Sequence, residues 1–208
     1  MFQTLKRTIM AWEDYYLETV GTSPSQEIYD FVRSDMSNGG KALDLGAGML
    51  SEAIEIFLHG YDVDAVDSSE TFGAIATLFH GLTTKSDNRL KLWHTSFEAF
   101  AYPVEYYDLV HSRLALSFCR RRMFNSVFQR MTRSLKPGGY FLGDLYGMIK
   151  DDSYLEDLHP TISLLYRDEI ESLFTPFTII EWEERNRPDD PNRVANNWHV
   201  HKILARKK

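Results

Sequence analysis

A glycine-rich turn between two short apolar strands constrains the fold of this chain more than any other feature. Lys41–Leu45 has the pattern of a buried strand, Gly46-Ala47-Gly48 that of a tight turn, and Asp67 closes a second strand. Asp67 lies twenty-one positions after the first of these glycines. In a strand–turn–helix–strand unit, this spacing places an acid beside the turn, where it can accept both hydroxyls of a ribose. The pattern therefore predicts a site for a nucleoside-containing ligand.

The size and charge of the chain fit one compact globular domain. Its 208 residues are 43% hydrophobic and 25% charged, which allows a substantial core. The net charge of −7 disfavours nucleic acid as a partner, because nucleic-acid binders usually present a basic face. The one basic run, Arg120–Arg122, fits a solvated helix start. We therefore expect a small-molecule partner and no nucleic acid; the oligomeric state is not predicted.

Cysteine usage and hydropathy predict a soluble, cytoplasmic protein. The single cysteine, Cys119, cannot form an intramolecular disulfide, and its apolar neighbours predict a buried thiol in a reducing compartment. No apolar run approaches the roughly 18 residues of a membrane-spanning helix. The first residues also lack a secretory apolar segment. No membrane association is expected.

Short apolar strands alternate with helical periodicity, which is typical of a parallel sheet covered by helices on both faces. The last two predicted strands have no helix between them and should pair antiparallel. The predicted fold class is α/β, with a doubly wound, Rossmann-like, seven-stranded sheet that is mostly parallel and ends in an antiparallel hairpin. The predicted strands are Lys41–Leu45, Asp62–Asp67, Arg89–His94, Tyr107–Ser112, Tyr140–Leu145, Phe177–Glu184 and Asn197–Ala205.

Apolar spacing also predicts which helix faces are buried. The helix Ser51–His59 should end before a capping Gly60. Its predicted buried face is Ala53, Ile54, Phe57 and Leu58. A later helix should bury Phe124, Val127, Phe128 and Met131.

The beginning of the chain differs from the rest. Residues 1–35 are rich in aromatic side chains and form a predicted N-terminal helical cap or lid, followed by a ligand-binding domain over residues 36–208 within one compact unit. A second segment, Gly147–Pro160, has no firm periodicity and is predicted to be a flap over the strand ends.

Two residues of the turn region distinguish between classes of nucleoside ligand. A dinucleotide fingerprint has a third glycine where this chain has Ser51. Asp44, two residues before Gly46, would repel a pyrophosphate but could hold the ammonium of an amino acid. A ligand with adenosine at one end and a zwitterionic amino acid at the other fits both acids, and a dinucleotide remains the alternative.

At this point the chain resembles the class I S-adenosylmethionine-dependent methyltransferases over roughly residues 40–205. The resemblance rests on motifs that occur in the family's order: Asp44-Leu45-Gly46-Ala47-Gly48, Asp67, Ser96-Phe97-Glu98, Tyr107-Asp108-Leu109-Val110 and Leu135-Lys136-Pro137-Gly138-Gly139. Met49-Leu50 is bulkier than the family's usual turn, and Ser96 stands where the family often has an acid.

The resemblance implies S-adenosylmethionine as the cofactor and a set of contacts to it. Asp44 would lie near the methionyl ammonium, Asp67 would bind the ribose hydroxyls, and Phe97 would cover adenine. The full implied set is Asp44, Gly46, Ala47, Gly48, Asp67, Ser68, Ser96, Phe97, His111 and Ser112.

Looser similarities point to small-molecule enzymes of the tellurite-resistance methyltransferase type. They are Trp12 with Tyr15-Tyr16, Pro24-Ser25, Tyr166-Arg167-Asp168-Glu169-Ile170 and Asn197-Trp198-His199-Val200-His201.

Methyl transfer from a sulfonium is an in-line displacement that positioning alone can promote, so a general base is needed only if the acceptor must lose a proton. His111 and Tyr146 are the catalytic candidates, although a packed histidine and a core-edge aromatic are equal alternatives. Asp144 needs a partner if it is buried. The candidate acceptor contacts are Trp12, Tyr16, Arg113 and Tyr146. No metal is predicted, because the spacing of His94, His199 and His201 fits no ligand motif.

The expected function is methyl transfer to a small molecule. A protein or RNA methyltransferase is an alternative, although Ser112-Arg113-Leu114-Ala115 stands where amino-group methyltransferases have Asn-Pro-Pro-Tyr. A non-catalytic adenosylmethionine-binding module is the other alternative.

Overall fold

The computed structural model describes residues 21–82, 89–148, 162–185 and 199–208. The helices in these ranges are α1 (Gln26–Arg33), α2 (Ser51–Leu58), α3 (Glu70–Leu82), α4 (Arg121–Ser134) and α5 (Arg167–Leu173). The strands are β1 (Gly40–Leu45), β2 (Tyr61–Asp67), β3 (Leu90–His94), β4 (Tyr107–Ser112), β5 (Leu135–Tyr146), β6 (Phe177–Arg185) and β7 (Val200–Lys207). None of the helices in the described ranges has the length and apolar character to span a membrane.

All seven strands form one sheet in the order β3-β2-β1-β4-β5-β7-β6. β1 to β5 pair in parallel, whereas β7 lies antiparallel to both β5 and β6. The prediction of a doubly wound, mostly parallel sheet with a C-terminal antiparallel hairpin is confirmed. The order reverses between β1 and β4, and in such sheets ligands bind outside the carboxyl ends of the strands at this switch point.

The two faces of the sheet have separate cores. One core lies under α4 and α5, where the predicted α4 residues Phe124, Val127, Phe128 and Met131 are all at most 1% exposed. The other lies under α1, α2 and α3 and includes Ile28, Ala53 and Phe72. The prediction for α4 is confirmed, because its apolar residues repeat on only one side of the helix.

The helix α1 packs into the second core. The Ser25 hydroxyl accepts the Ile28 N–H at 3.4 Å and caps the helix, and Ile28 is fully buried. The predicted division between residues 1–35 and 36–208 stays a prediction, because the first twenty residues lie outside the described ranges.

The predicted buried face of α2 is wrong in part. Ala53 and Ile56 are fully buried, whereas Ile54 is 44% and Leu58 is 68% exposed. Apolar residues surround this short helix, so periodicity alone cannot select the face that packs on the sheet. The preceding Leu50, at a φ of 68°, sets the direction in which the helix starts.

The strand predicted at Tyr140–Leu145 begins earlier in the structure, because the preceding Pro137-Gly138-Gly139 is part of it. β5 begins at Leu135, directly after α4. Tyr107 of β4 pairs with Leu135, whereas Leu109 pairs with Tyr140, so the register between the two strands shifts between these pairs. The extra residues form an irregularity within β5 rather than a separate loop.

Candidate functional site

The glycine turn follows β1 at the switch point of the sheet. The N–H groups of Gly46 and Ala47 both donate to the carbonyl oxygen of Val66, at 2.8 and 3.1 Å. Gly46 has a φ of 82°, and a Cβ at this position would come within 2.1 Å of the Ala115 Cβ. Only glycine fits there, for both conformational and steric reasons.

The carboxylate of Asp67 lies against this turn, as its spacing in the sequence predicts. Its Oδ2 accepts the Gly48 N–H at 3.1 Å, and its Oδ1 accepts the Ser69 N–H at 2.9 Å. Asp67 is only 8% exposed. Two backbone donors therefore hold an acid in a fixed position at the end of β2.

A buried acid and histidine lie on either side of the switch point. His111 Nδ1 and Asp44 Oδ1 are 2.8 Å apart, and the two residues are 3% and 2% exposed. Burial lowers the pKa of His111, but the hydrogen bond and the charge of Asp44 outweigh burial and raise it. The second carboxylate oxygen, Asp44 Oδ2, is buried and has no hydrogen-bond partner among the described residues.

The loop predicted to lie beside adenine reaches the glycine turn through one of its two residues. The Phe97 Cζ lies 3.7 Å from the point that a Cβ on Gly46 would occupy. The Ser96 hydroxyl instead accepts the Ala99 N–H at 3.3 Å and stabilises its own loop. Phe97 and Ala115 both border the turn, and sequence reasoning missed Ala115 because a lone alanine carries no chemical signal.

Two further serines of the expected cofactor set are engaged in other ways. The fully buried Ser112 donates its hydroxyl to the Leu45 carbonyl at 3.0 Å and so ties β4 to β1. Ser68 is exposed, and its carbonyl oxygen lies 3.3 Å from His94 Nε2. Both residues border the turn region, and their proposed cofactor contacts stay predictions.

The expected acceptor contacts divide into two groups. Arg113 forms an ion pair with Glu52 at 3.0 Å, and Tyr146 is 6% exposed and packs edge-on against Phe118. Trp12 and Tyr16 lie outside the described residues. Arg113 and Tyr146 follow or end β4 and β5, so both lie at the carboxyl edge of the sheet.

Asp144 lies at the same edge, two residues before the end of β5, and is 8% exposed. Burial raises the pKa of its carboxyl to about 6, although the positive charges of Lys202 and His111 oppose this effect. The sequence shows that this acid follows an apolar run, but not which charges lie beside it.

A second polar cluster joins β6 and β7. Glu184, His199 and His201 place possible metal ligands within 4.8 Å of one another. Protein groups occupy several of these atoms: Glu184 Oε1 contacts His199 Nε2 at 2.8 Å, and His201 Nδ1 accepts the Trp182 N–H at 3.0 Å. Burial and the neighbouring His199 lower the pKa of His201 to about 4. Because Arg167 also binds Glu184, we assign no metal to this cluster, and the expectation of no metal stays a prediction.

Comparison with known proteins identifies a family. The sequence model of the family described as tellurite resistance protein TehB matches residues 9–184. A curated relative, Hemagglutinin 1 from Eikenella corrodens, is 27% identical over 146 residues, which are 69% of this chain and 46% of that protein. The match thus spans less than half of that relative's length.

Solved structures share the fold. TehB from Haemophilus influenzae is 22% identical, with a TM-score of 0.67 over 95% of this chain and 67% of that chain. The 1,6-didemethyltoxoflavin-N1-methyltransferase from Burkholderia thailandensis, with bound 1,6-didemethyltoxoflavin and S-adenosylhomocysteine, is 16% identical, with a TM-score of 0.63 over 96% and 92% of the two chains. The likeness establishes the methyltransferase fold and confirms the predicted fold class.

Proposed function

The chain belongs to the TehB family of tellurite resistance proteins, and from this premise we propose that it is an S-adenosylmethionine-dependent methyltransferase with a small-molecule acceptor. The observation that carries the proposal is the position of two acids at one glycine turn. Asp67 accepts the Gly48 N–H, and Asp44, two residues before Gly46, has a buried oxygen that no described residue hydrogen-bonds.

The residues at the turn fit the two ends of this cofactor. Each Asp67 oxygen accepts one backbone N–H, and a carboxylate is also a suitable acceptor for ribose hydroxyls. Asp44 Oδ2 supplies the negative partner that an ammonium group requires. Phe97 offers an apolar face beside Gly46 for adenine.

The protein's own part in the reaction is positioning and, for some acceptors, proton transfer. Bound S-adenosylmethionine supplies a methyl group that is already activated on a sulfonium. Asp44 holds the His111 ring through Nδ1, so that Nε2 is the nitrogen left to take a proton from an acceptor. His111 and Tyr146 are the proposed catalytic candidates.

Two observations support a small-molecule acceptor. The net charge of −7 disfavours RNA, and the similar structure from Burkholderia thailandensis is named as a 1,6-didemethyltoxoflavin-N1-methyltransferase. We also propose a cytoplasmic location, which is supported by a single, buried, free cysteine.

Isothermal calorimetry with adenosylmethionine and adenosylhomocysteine tests the cofactor site. We expect both ligands to bind wild type, and Asp67→Ala to weaken binding by about tenfold or more, because hydrogen bonds to a charged group are lost. The matched control is Asp62→Ala on the same strand, whose 45% exposed carboxylate pairs with Lys41 and Arg89. Circular dichroism checks the fold of each variant.

Binding and turnover measurements decide between the alternatives. Absence of binding at millimolar adenosylhomocysteine contradicts the proposal, and tight binding of NAD instead would favour a dinucleotide enzyme. If the cofactor binds, adenosylhomocysteine release is measured against metabolite, protein and RNA pools. Release with the metabolite pool alone supports the small-molecule acceptor, and no release with any pool favours a non-catalytic binding module.

A further inference from the structure

Of the three acids near the carboxyl ends of β1, β2 and β5, Asp44, Asp67 and Asp144, only Asp144 is hydrogen-bonded by no described residue. Leu142 belongs to the core under α1, α2 and α3, and because side chains alternate along a strand, Asp144 lies on the same face. His111 and Asp44 share this face on the neighbouring strands β4 and β1. Asp144 is therefore next to the proposed cofactor site, on the side of β5.

The charges that act on Asp144 come from several packed elements, and each positive group is paired with another acid. Lys202, opposite Asp144 on β7, donates to Glu27 on α1. Arg113, just beyond β4, pairs with Glu52 on α2. His111 is bonded to Asp44.

Within the part of the chain that the structure describes, these three pairs leave the Asp144 carboxylate without an ion pair or hydrogen bond of its own. Asp144 is only 8% exposed. Burial raises the pKa of its carboxyl to about 6, because the surrounding cations offset the cost of burial only in part. A buried carboxylate without a hydrogen-bond donor is costly, and such groups concentrate at functional sites.

We propose that Asp144 is a specificity-determining residue that binds a cationic N–H group of the acceptor, so that the acceptor is a small molecule with a basic nitrogen such as a protonated amine. This inference rests on the proposed function, since it assumes that the acceptor binds beside the cofactor at the ends of β4 and β5. An incoming ammonium would supply both a positive charge and the hydrogen-bond donors that no described residue gives to Asp144. An anionic acceptor would instead meet a second negative charge.

The test uses the full chain saturated with adenosylhomocysteine and sets of matched probes. Each set keeps one carbon frame and changes one group: benzylamine, benzyl alcohol and benzoate, with aliphatic and heteroaromatic equivalents. Affinity is measured by calorimetry and by the shift in thermal unfolding midpoint. We expect the amine to bind best within at least one set, and Asp144→Asn to lower its affinity about tenfold to a hundredfold.

Two controls separate acceptor binding from a structural role. Asp62→Asn removes an acid at the start of β2, away from the site, and should leave the amine preference unchanged. Carbon-13 NMR titration of the Asp144 carboxyl should show that the amine probe lowers its pKa, which a purely structural carboxylate would not show.

Each result bears either on the inference about Asp144 or on the proposed function. If wild type binds adenosylhomocysteine but shows no amine preference in any set, or if Asp144→Asn retains that preference, the inference is wrong while the proposed function stands. If Asp144→Asn loses adenosylhomocysteine itself, Asp144 belongs to the cofactor site and the inference is again wrong. Failure of wild type to bind adenosylhomocysteine overturns the proposed function instead.

Discussion

The carboxylate of Asp144 costs the folded protein stability at neutral pH, because burial opposes its ionisation. Functional groups often carry such a cost, since a site must keep open the contacts that its ligand will make. The neighbouring acid Asp67 differs, because two backbone N–H groups donate to its carboxylate.

Asp144→Asn should stabilise the protein above about pH 6 and have little effect below about pH 4. The folded-state pKa is raised, so the contribution of Asp144 to stability is present below its unfolded pKa and is lost as pH rises through about 6. The gain should be on the order of 2–3 kcal/mol at neutral pH, since one pKa unit corresponds to about 1.4 kcal/mol. Urea unfolding of both proteins across this range measures it.

The control for this prediction is Asp62, an acid whose pKa is shifted in the opposite direction. Burial raises the pKa of Asp62, but its hydrogen bonds to Arg89 and Lys41 and their charges outweigh burial and lower the pKa. Asp62→Asn should therefore give no stabilisation at neutral pH. A gain from Asp144→Asn that does not change with pH would show that the buried charge is not its cause.

At the scale of elements, the contact between β4 and β5 fixes the position of the site residues. His111 and Ser112 of β4 pair with Leu142 and Gly143 of β5. Gly143 allows this approach, because a Cβ there would lie 2.5 Å from the backbone oxygen of Ser112. Backbone atoms cannot move aside as a flexible side chain can, so the strands themselves would have to separate.

Gly143→Ala should therefore lower the free energy of unfolding by about 3 kcal/mol or more, as overpacking between two backbones does. Gly60→Ala is the matched control: its φ is 93°, but nothing lies within 4 Å of an added Cβ. This control should cost only about 1 kcal/mol from backbone strain. Urea unfolding measures the free energy of unfolding of both variants. Equal losses for Gly143→Ala and Gly60→Ala would contradict the close packing of β4 on β5.

At the scale of the whole molecule, the core under α4 and α5 encloses the only cysteine. Cys119 is 1% exposed, and burial together with the charge of Glu98 raises the pKa of its thiol to about 12. A thiol in this setting is unreactive until the surrounding core opens. Its modification therefore reports on unfolding of the core.

Iodoacetamide should modify Cys119 in the native protein at least a hundredfold more slowly than in urea-unfolded chains, because only the thiolate reacts. If adenosylhomocysteine binds only the folded state, a concentration of about 100 times its Kd should slow native-state modification by about a further hundredfold. At the same concentration, Asp67→Ala should show a smaller ligand effect, about tenfold or less, in line with its weaker binding. Mass spectrometry gives the rates, and fast native modification would contradict the buried position of Cys119.

The sequence by itself determined the strand order along the chain, the glycine turn, and the acids at the ends of β1 and β2. Strand–turn–helix units are local, and the chemistry of Gly46 or Asp67 is visible in a few neighbouring residues. The burial of α4 was equally visible, because its apolar residues occupy one side only.

Only the tertiary structure decided which residues meet across strands and helices. The buried face of α2, the use of the Ser112 hydroxyl by Leu45, and the bond between Asp44 and His111 all depend on contacts between segments far apart in sequence. The same is true of Asp144: the sequence shows its charge, but only the structure shows that, within the described residues, Lys202, Arg113 and His111 each pair elsewhere. Pairing depends on distances in the folded state, and no local pattern encodes those distances.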